Sequence, residues 1–121
     1  MQNIDRLFFG TAILLGLAGM AMGIEMGIRQ DFTLTPVHAH INLLGWVSMA
    51  LYGLAYRTGM VRRDRWAAVQ YGLALAGSIL MPAGLYFAIV QDNHAVIAAG
   101  SLLAFASLAL FGINFLRTRA E

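Results

Sequence analysis

The hydrophobic positions of the chain fall into four long runs, about Leu7 to Ile28, Val37 to Tyr56, Trp66 to Val90 and His94 to Leu116, separated by short polar breaks. Each run reaches or exceeds the roughly 20 residues that carry an α-helix across about 30 Å of hydrocarbon. The pattern predicts an all-α fold, an integral membrane bundle of four transmembrane helices forming a single domain over 1–121. The first run is read as a retained helix and not a signal peptide: its apolar part is too long, and Met22-Gly-Ile-Glu25 makes a poor cleavage site. Thr35-Pro36 should open the second helix, with a capping hydroxyl followed by proline at the first helical position. Pro82 is expected to kink the third helix and Asn93 to cap the fourth. Gly19, Gly23 and Gly27 recur at spacings of four, with Gly16 nearby, and predict a face of helix one that another helix can approach closely.

Composition places this pattern in lipid. Of 121 residues, 60% are hydrophobic and only 12% charged, about half the charged share of a soluble domain, and the mean hydropathy is +0.70. The lipid bilayer is therefore the main partner. The cations are all arginines, and they lie at the ends of the runs instead of in a patch, which argues for topology and against nucleic acid. Arg6, Arg57, Arg62, Arg63, Arg65, Arg117 and Arg119 fall on one side of the expected membrane, and Arg29 alone on the other. The positive-inside rule then makes both termini and the segment 57–65 cytoplasmic, in a bacterial-type inner membrane, with 29–36 and 91–93 outside. There is no cysteine, so a metal would have to use imidazole, thioether, carboxylate or a prosthetic group. The halves show no similarity of the inverted-repeat kind, and Gln70, Ser78, Ser101, Ser107 and Asn114 read as scattered polar residues without a proton or ion path.

The histidines are the least random feature. His38 and His40 occupy the outer start of helix two, and His94 opens helix four at the same end. At about 100° per residue, His38 and His40 point roughly 200° apart, so a regular helix cannot turn both toward one metal ion. They address two different neighbours, which suits a site repeated around an oligomer. An unpaired imidazole in hydrocarbon is costly, and ionisable residues within spans are usually functional. Against this stands the plain alternative that histidines near a membrane surface are interface residues like Trp and Tyr. Asn42, one turn below His38, is placed to orient that ring or to bond a neighbouring helix.

The stretch His38-Ala-His40-Ile-Asn-Leu-Leu-Gly-Trp46 resembles the haem-binding helices of subunit I of the haem-copper oxidases and nitric oxide reductases. In that family twelve helices form three arcs of four, and haem ligands come largely from the second helix of each arc. The closest counterpart is an H-x-H whose two histidines bind two haems on opposite sides of one helix. The resemblance implies that this chain is one such arc, and that a homotrimer would imitate the twelve-helix arrangement. It further implies a b-type haem for electron transfer or haem and gas binding, each haem in a trimer taking His40 of one protomer and His38 or His94 of its neighbour, although only His38 and His40 have counterparts in the family. Trp46 would pack the porphyrin, Asn42 would support a ligand, and Arg29 would stand near the propionates. Nothing matches the family's adjacent histidine pair for copper, its cross-linked tyrosine or its proton channels, so a complete oxidase active site is not implied.

Two other readings use the same residues. Met20, Met22 and Met26 lie toward the outer end of helix one beside Glu25, and Met22 and Met26 share a face, so soft Cu(I) could take thioethers together with the imidazoles. Equally, methionine is an ordinary filler of apolar packing, and Glu25 has Arg29 four residues on for an ion pair. The last reading is a structural or assembly subunit without cofactor, its histidines bonding between helices.

Overall fold

A computed structural model describes residues 3–119 of the chain. They form four helices in succession. The first, α1, is Ile4–Arg29. The second, α2, runs over 35–57 and changes its winding twice: Thr35–His40 is α-helical, Ile41–Ser48 is π-helical and Met49–Arg57 is α-helical again. Arg65–Gln91 forms α3, and Ala95–Arg117 forms α4. The helices α1, α3 and α4 are each long and apolar enough to cross a membrane. No single segment of α2 has that length, because the π-helical stretch divides it. The sequence pattern located all four helices but gave no sign of this change in winding.

Turn chemistry refines the expected boundaries. Thr35 is already helical, and its hydroxyl donates to the Phe32 carbonyl (2.7 Å) instead of capping the helix. Leu34 occupies the cap position, and proline still falls in the first turn, where a missing N–H leaves no helical bond unmade. At the start of α4 the cap position belongs to His94, while Asn93 accepts the Ala95 N–H (3.0 Å) from one residue further back. Asp64 caps α3 by accepting the Trp66 N–H. The helix α3 continues through Pro82 to Gln91 without interruption.

The ends of the helices sort themselves. Arg57 at the end of α2 pairs with Asp5 in the first turn of α1 (3.0 Å), and the Arg62 N–H donates to Thr118 just past α4 (3.0 Å). One end of the molecule therefore carries the start of α1, the α2–α3 loop and the finish of α4, and with them every arginine except Arg29. The opposite end carries Arg29 and the two other loops, with His38, His40 and His94.

Two hairpins build the molecule, each closed by small residues. In lipid there is no hydrophobic force between apolar helices, so close packing and polar contacts must hold them. Between α3 and α4 the backbones touch: a Cβ on Gly84 would run into the Ile97 backbone, one on Gly100 into the Met81 backbone, and one on Gly77 would lie 2.7 Å from the Ala104 nitrogen. Between α1 and α2 the glycines receive side chains instead. The two hairpins meet mainly through α2 and α3, and α4 lies along α3 without comparable contact with α1. The result is an open arc of four helices.

Packing is uneven along the arc. The buried cluster of Ile4, Phe8, Ala12, Met49, Tyr56, Val61 and Ala67, with Tyr52, Tyr71 and Phe111 against it, fills the arginine-bearing half. The histidine-bearing half is less filled. An apolar groove of about 390 Å³ opens there between Leu15 of α1, Val37 and Ile41 of α2, and Pro82, Tyr86 and Phe87 of α3. The outer face of α4 is bare, with Leu102, Phe105 and Leu116 all more than 70% exposed, as lipid contact requires.

Candidate functional site

His38 and His40 both lie in the short α-helical start of α2, immediately before the winding changes. Spaced two residues apart on an α-turn, they differ in what they reach: His38 bonds to a neighbouring helix, whereas His40, expected to address a neighbour as well, bonds to its own. His38 turns to α1, where its Nδ1 lies 2.7 Å from the Gly19 carbonyl oxygen. Its ring covers Gly23, whose absent Cβ would fall 2.7 Å from His38 Cε1. Asn42 follows one turn on: its amide donates to the His38 carbonyl oxygen (3.1 Å) and lies 3.2 Å from Nδ1. A Cβ on Gly19 would stand 2.6 Å from Asn42 Oδ1, and one on Gly16 about 3.1 Å from the Trp46 ring. The row His38, Asn42, Trp46 on α2 thus fits into the row Gly23, Gly19, Gly16 on α1. Gly27 plays no part in this contact, since nothing lies within 4 Å of its missing side chain.

His40 is held by its own helix. Its Nδ1 lies 2.8 Å from the Pro36 carbonyl oxygen, one turn back. Below it Leu44, Ser48 and Tyr52 follow at steps of four, and these three line a cleft shared with Ser78 of α3 and Ser107 of α4.

The two rings differ in surroundings, His38 packed over Gly23 with its Nε2 toward α1 and His40 more exposed, but they share one bond, Nδ1 to a backbone carbonyl. A carbonyl oxygen can only accept, so the proton of the neutral imidazole sits on Nδ1 in each, and Nε2 keeps its lone pair. This is how ligating histidines are commonly held, with the far ring nitrogen tied to a carbonyl and the near one left for the metal. With Nδ1 of His38 a donor, the Asn42 amide serves the His38 carbonyl and thereby fixes the turn that carries the ring. The π-helical stretch contributes here too. Its i→i+5 winding leaves carbonyls open to side chains: Ser48 Oγ donates to the Leu43 oxygen (2.8 Å), and Ser78 Oγ of α3 to the Leu44 oxygen (3.2 Å). Such stretches recur at functional sites.

The remaining candidates stand apart. His94 is two-thirds exposed, and its Nε2 faces the Asp92 carboxylate (3.0 Å); neither His38 nor His40 touches it. Arg29 is at the histidine end but engaged by Glu25 (3.1 Å), the pair four residues apart on α1. Met22, Glu25, Met26, Arg29 and Asp31 line a common pocket of about 140 Å³ that includes no histidine. Among the described residues, no three His, Asp or Glu side chains converge in the manner of a protein-only metal site. Sequence reasoning missed the seats of the histidines, Gly19 O and Pro36 O, and the π-helical stretch below them. The matching four-residue spacing of Gly19 and Gly23 with His38 and Asn42 was the available signal for the first.

No family model matches the chain, and comparison with curated proteins and with solved structures returns no match. The kinship suggested by His38-x-His40 therefore rests on those residues and their setting.

Proposed function

We propose that this chain is a membrane haem-binding protein, with a b-type haem held through Nε2 of His40, of His38, or of both, near the outer face. One observation carries the reading: the two rings of the H-x-H each have Nδ1 occupied by a backbone carbonyl, at 2.7 and 2.8 Å, with Nε2 left as the ligand nitrogen. The donor set favours haem over a bare ion. Haem brings its own four in-plane nitrogens and needs one or two imidazoles from the protein, whereas an ion needs three or four convergent side chains, which the described residues do not assemble. The apolar groove beside α2 has the size of a ligand cleft but is lined by Val37 and Ile41 and by neither histidine, so it does not by itself support the reading. Held by His38 and His40, the group would supply one-electron transfer, or, held by one of them, binding of a small gas.

In this reading the arginine-bearing end is cytoplasmic by the positive-inside rule, both termini with it, and the membrane is the bacterial inner membrane. The open arc, with α4 uncovered, has the form that a homotrimer imitating the twelve-helix subunit would need. His94, paired with Asp92, and Arg29, paired with Glu25, serve as outer contacts for the propionates or for a neighbouring copy, while Trp46 packs on Gly16 of α1.

Purification from a haem-sufficient host tests the reading. A Soret band should be present, and His40→Ala and His38→Ala should remove or shift it. The reading fails if purified protein has no Soret band, or if both variants leave the band unaltered. Stoichiometric copper in a colourless protein would instead support a site built on Met22 and Met26, and assembly lost in His40→Ala without any bound metal would support a structural subunit.

A further inference from the structure

Away from the histidines, the arginine-bearing half buries polar groups that the haem reading does not use. Tyr56 and Gln70 are fully buried, and Ser107 and Asn114 are 1% exposed. Three of them are bonded in series: Tyr56 OH donates to Gln70 Oε1 (3.1 Å), and Gln70 Nε2 donates to Ser107 Oγ (2.9 Å). The fourth is not. Neither Nδ2 nor Oδ1 of Asn114 has a hydrogen-bond partner, although the side chain lies beside the Tyr56 hydroxyl. A carboxamide buried among apolar helices with two donors and an acceptor unmet is the setting in which internal water is found.

Both ends of the series lead somewhere. Toward the arginines, the Thr118 hydroxyl donates to the Asn114 backbone oxygen (2.8 Å) and accepts from the Arg62 N–H. Thr118 and Arg62 also border an open cleft of about 710 Å³ at that end. Toward the middle of the helices, Ser107 shares with Ser48, Ser78 and Tyr52 a cavity of about 10 Å³, room for the centre of a single water. Ser48 and Ser78 each spend their proton on a carbonyl of the π-helical stretch, so their oxygens remain free to accept.

We propose that the seam between α2, α3 and α4 is hydrated from the arginine-bearing end, with one water on the Asn114 side chain and one among Ser48, Ser78 and Ser107, linked through Tyr56 and Gln70. The ligand is water itself. The seam brings solvent protons as far as the π-helical stretch, half-way along α2, and does so whether or not a cofactor is bound.

Water-edited solid-state NMR of the full chain in lipid bilayers reads this directly. Magnetisation from water should reach the Asn114 amide and Ser107 nearly as fast as half-buried Thr118 at the border of the cleft, and several-fold faster than Leu102 and Phe105 on the outer face of α4. Build-up at Asn114 and Ser107 as slow as at Leu102 overturns the proposal. Asn114→Leu should slow the transfer to Ser107 several-fold, while Asn114→Ser should largely preserve it; a Ser107 signal unchanged in Asn114→Leu would overturn entry from this end. Should the leucine variant not fold, the wild-type rates decide alone.

Discussion

At the scale of single residues, the histidine site is defined as much by what α1 lacks as by what α2 presents. Gly23 admits the His38 ring, and Gly19 admits Asn42 while offering its carbonyl to His38. Gly23→Ala should force the ring off the Gly19 oxygen and cost about 1–3 kcal/mol, read as a lower unfolding midpoint in mixed micelles. Gly27→Ala, with open space around it, should be neutral or stabilising by up to about 1 kcal/mol. A second residue-scale prediction concerns the α1–α2 loop. Asp31 accepts from the Thr33 hydroxyl (2.6 Å) and the Thr33 N–H (3.1 Å), and these bonds, against the opposing effect of burial and with a lesser contribution from the Arg29 charge, hold its carboxyl below the usual value. Its folded pKa being the lower one, its contribution to the loop is complete above the ordinary Asp value of about 3.9 and is lost as pH falls through the folded value. An NMR titration should show Asp31 moving up toward the ordinary value in Thr33→Ala.

At the scale of elements, the two hairpins use glycine differently, and substitution should tell them apart. At Gly84 and Gly100 a methyl group would meet backbone, which cannot rotate away, whereas at Gly16 it would meet the Trp46 ring, which can shift. Gly84→Ala and Gly100→Ala should therefore cost about 3 kcal/mol or prevent α3 and α4 from closing, and Gly16→Ala about 1 kcal/mol. Gly72→Ala and Gly112→Ala, with nothing near them, are the controls. The close-packed face of α1 was legible in part from its glycine repeat within one helix, although the contact uses Gly16, Gly19 and Gly23 and leaves Gly27 open. The α3–α4 seam was not, because Gly77, Gly84, Gly100 and Ala104 only become a pattern once the two helices are laid antiparallel. The π-helical stretch was equally hidden, since Ile41–Ser48 differs from an α-helix in hydrogen-bond register and not in the kind of residue it contains.

At the scale of the whole molecule, the distribution of arginine is the argument with the widest reach. Seven of the eight cations gather at one end of the fold, and Asp5–Arg57 with Arg62–Thr118 tie that end together. In the proposed orientation a green fluorescent protein fused after Glu121 should fluoresce in a bacterial host, and a periplasmic reporter enzyme at the same position should be inactive. The opposite pair of results would reverse the membrane orientation and put the histidines on the cytoplasmic face.

Sequence alone determined the number of helices and the end to which each arginine and histidine belongs. These follow from run length and charge, which are properties of a segment by itself. Tertiary structure decided that Gly19 and Pro36 carbonyls hold the two rings, that His94 pairs with Asp92 and not with the other histidines, and that the four helices stand in an open arc. It also gathered Gln70, Ser107 and Asn114, scattered along the chain, into one buried seam with Tyr56. Each of these is a contact between side chains and backbones far apart in sequence, or a hydrogen-bond choice among several of similar energy, and no local pattern of polar and apolar residues encodes it.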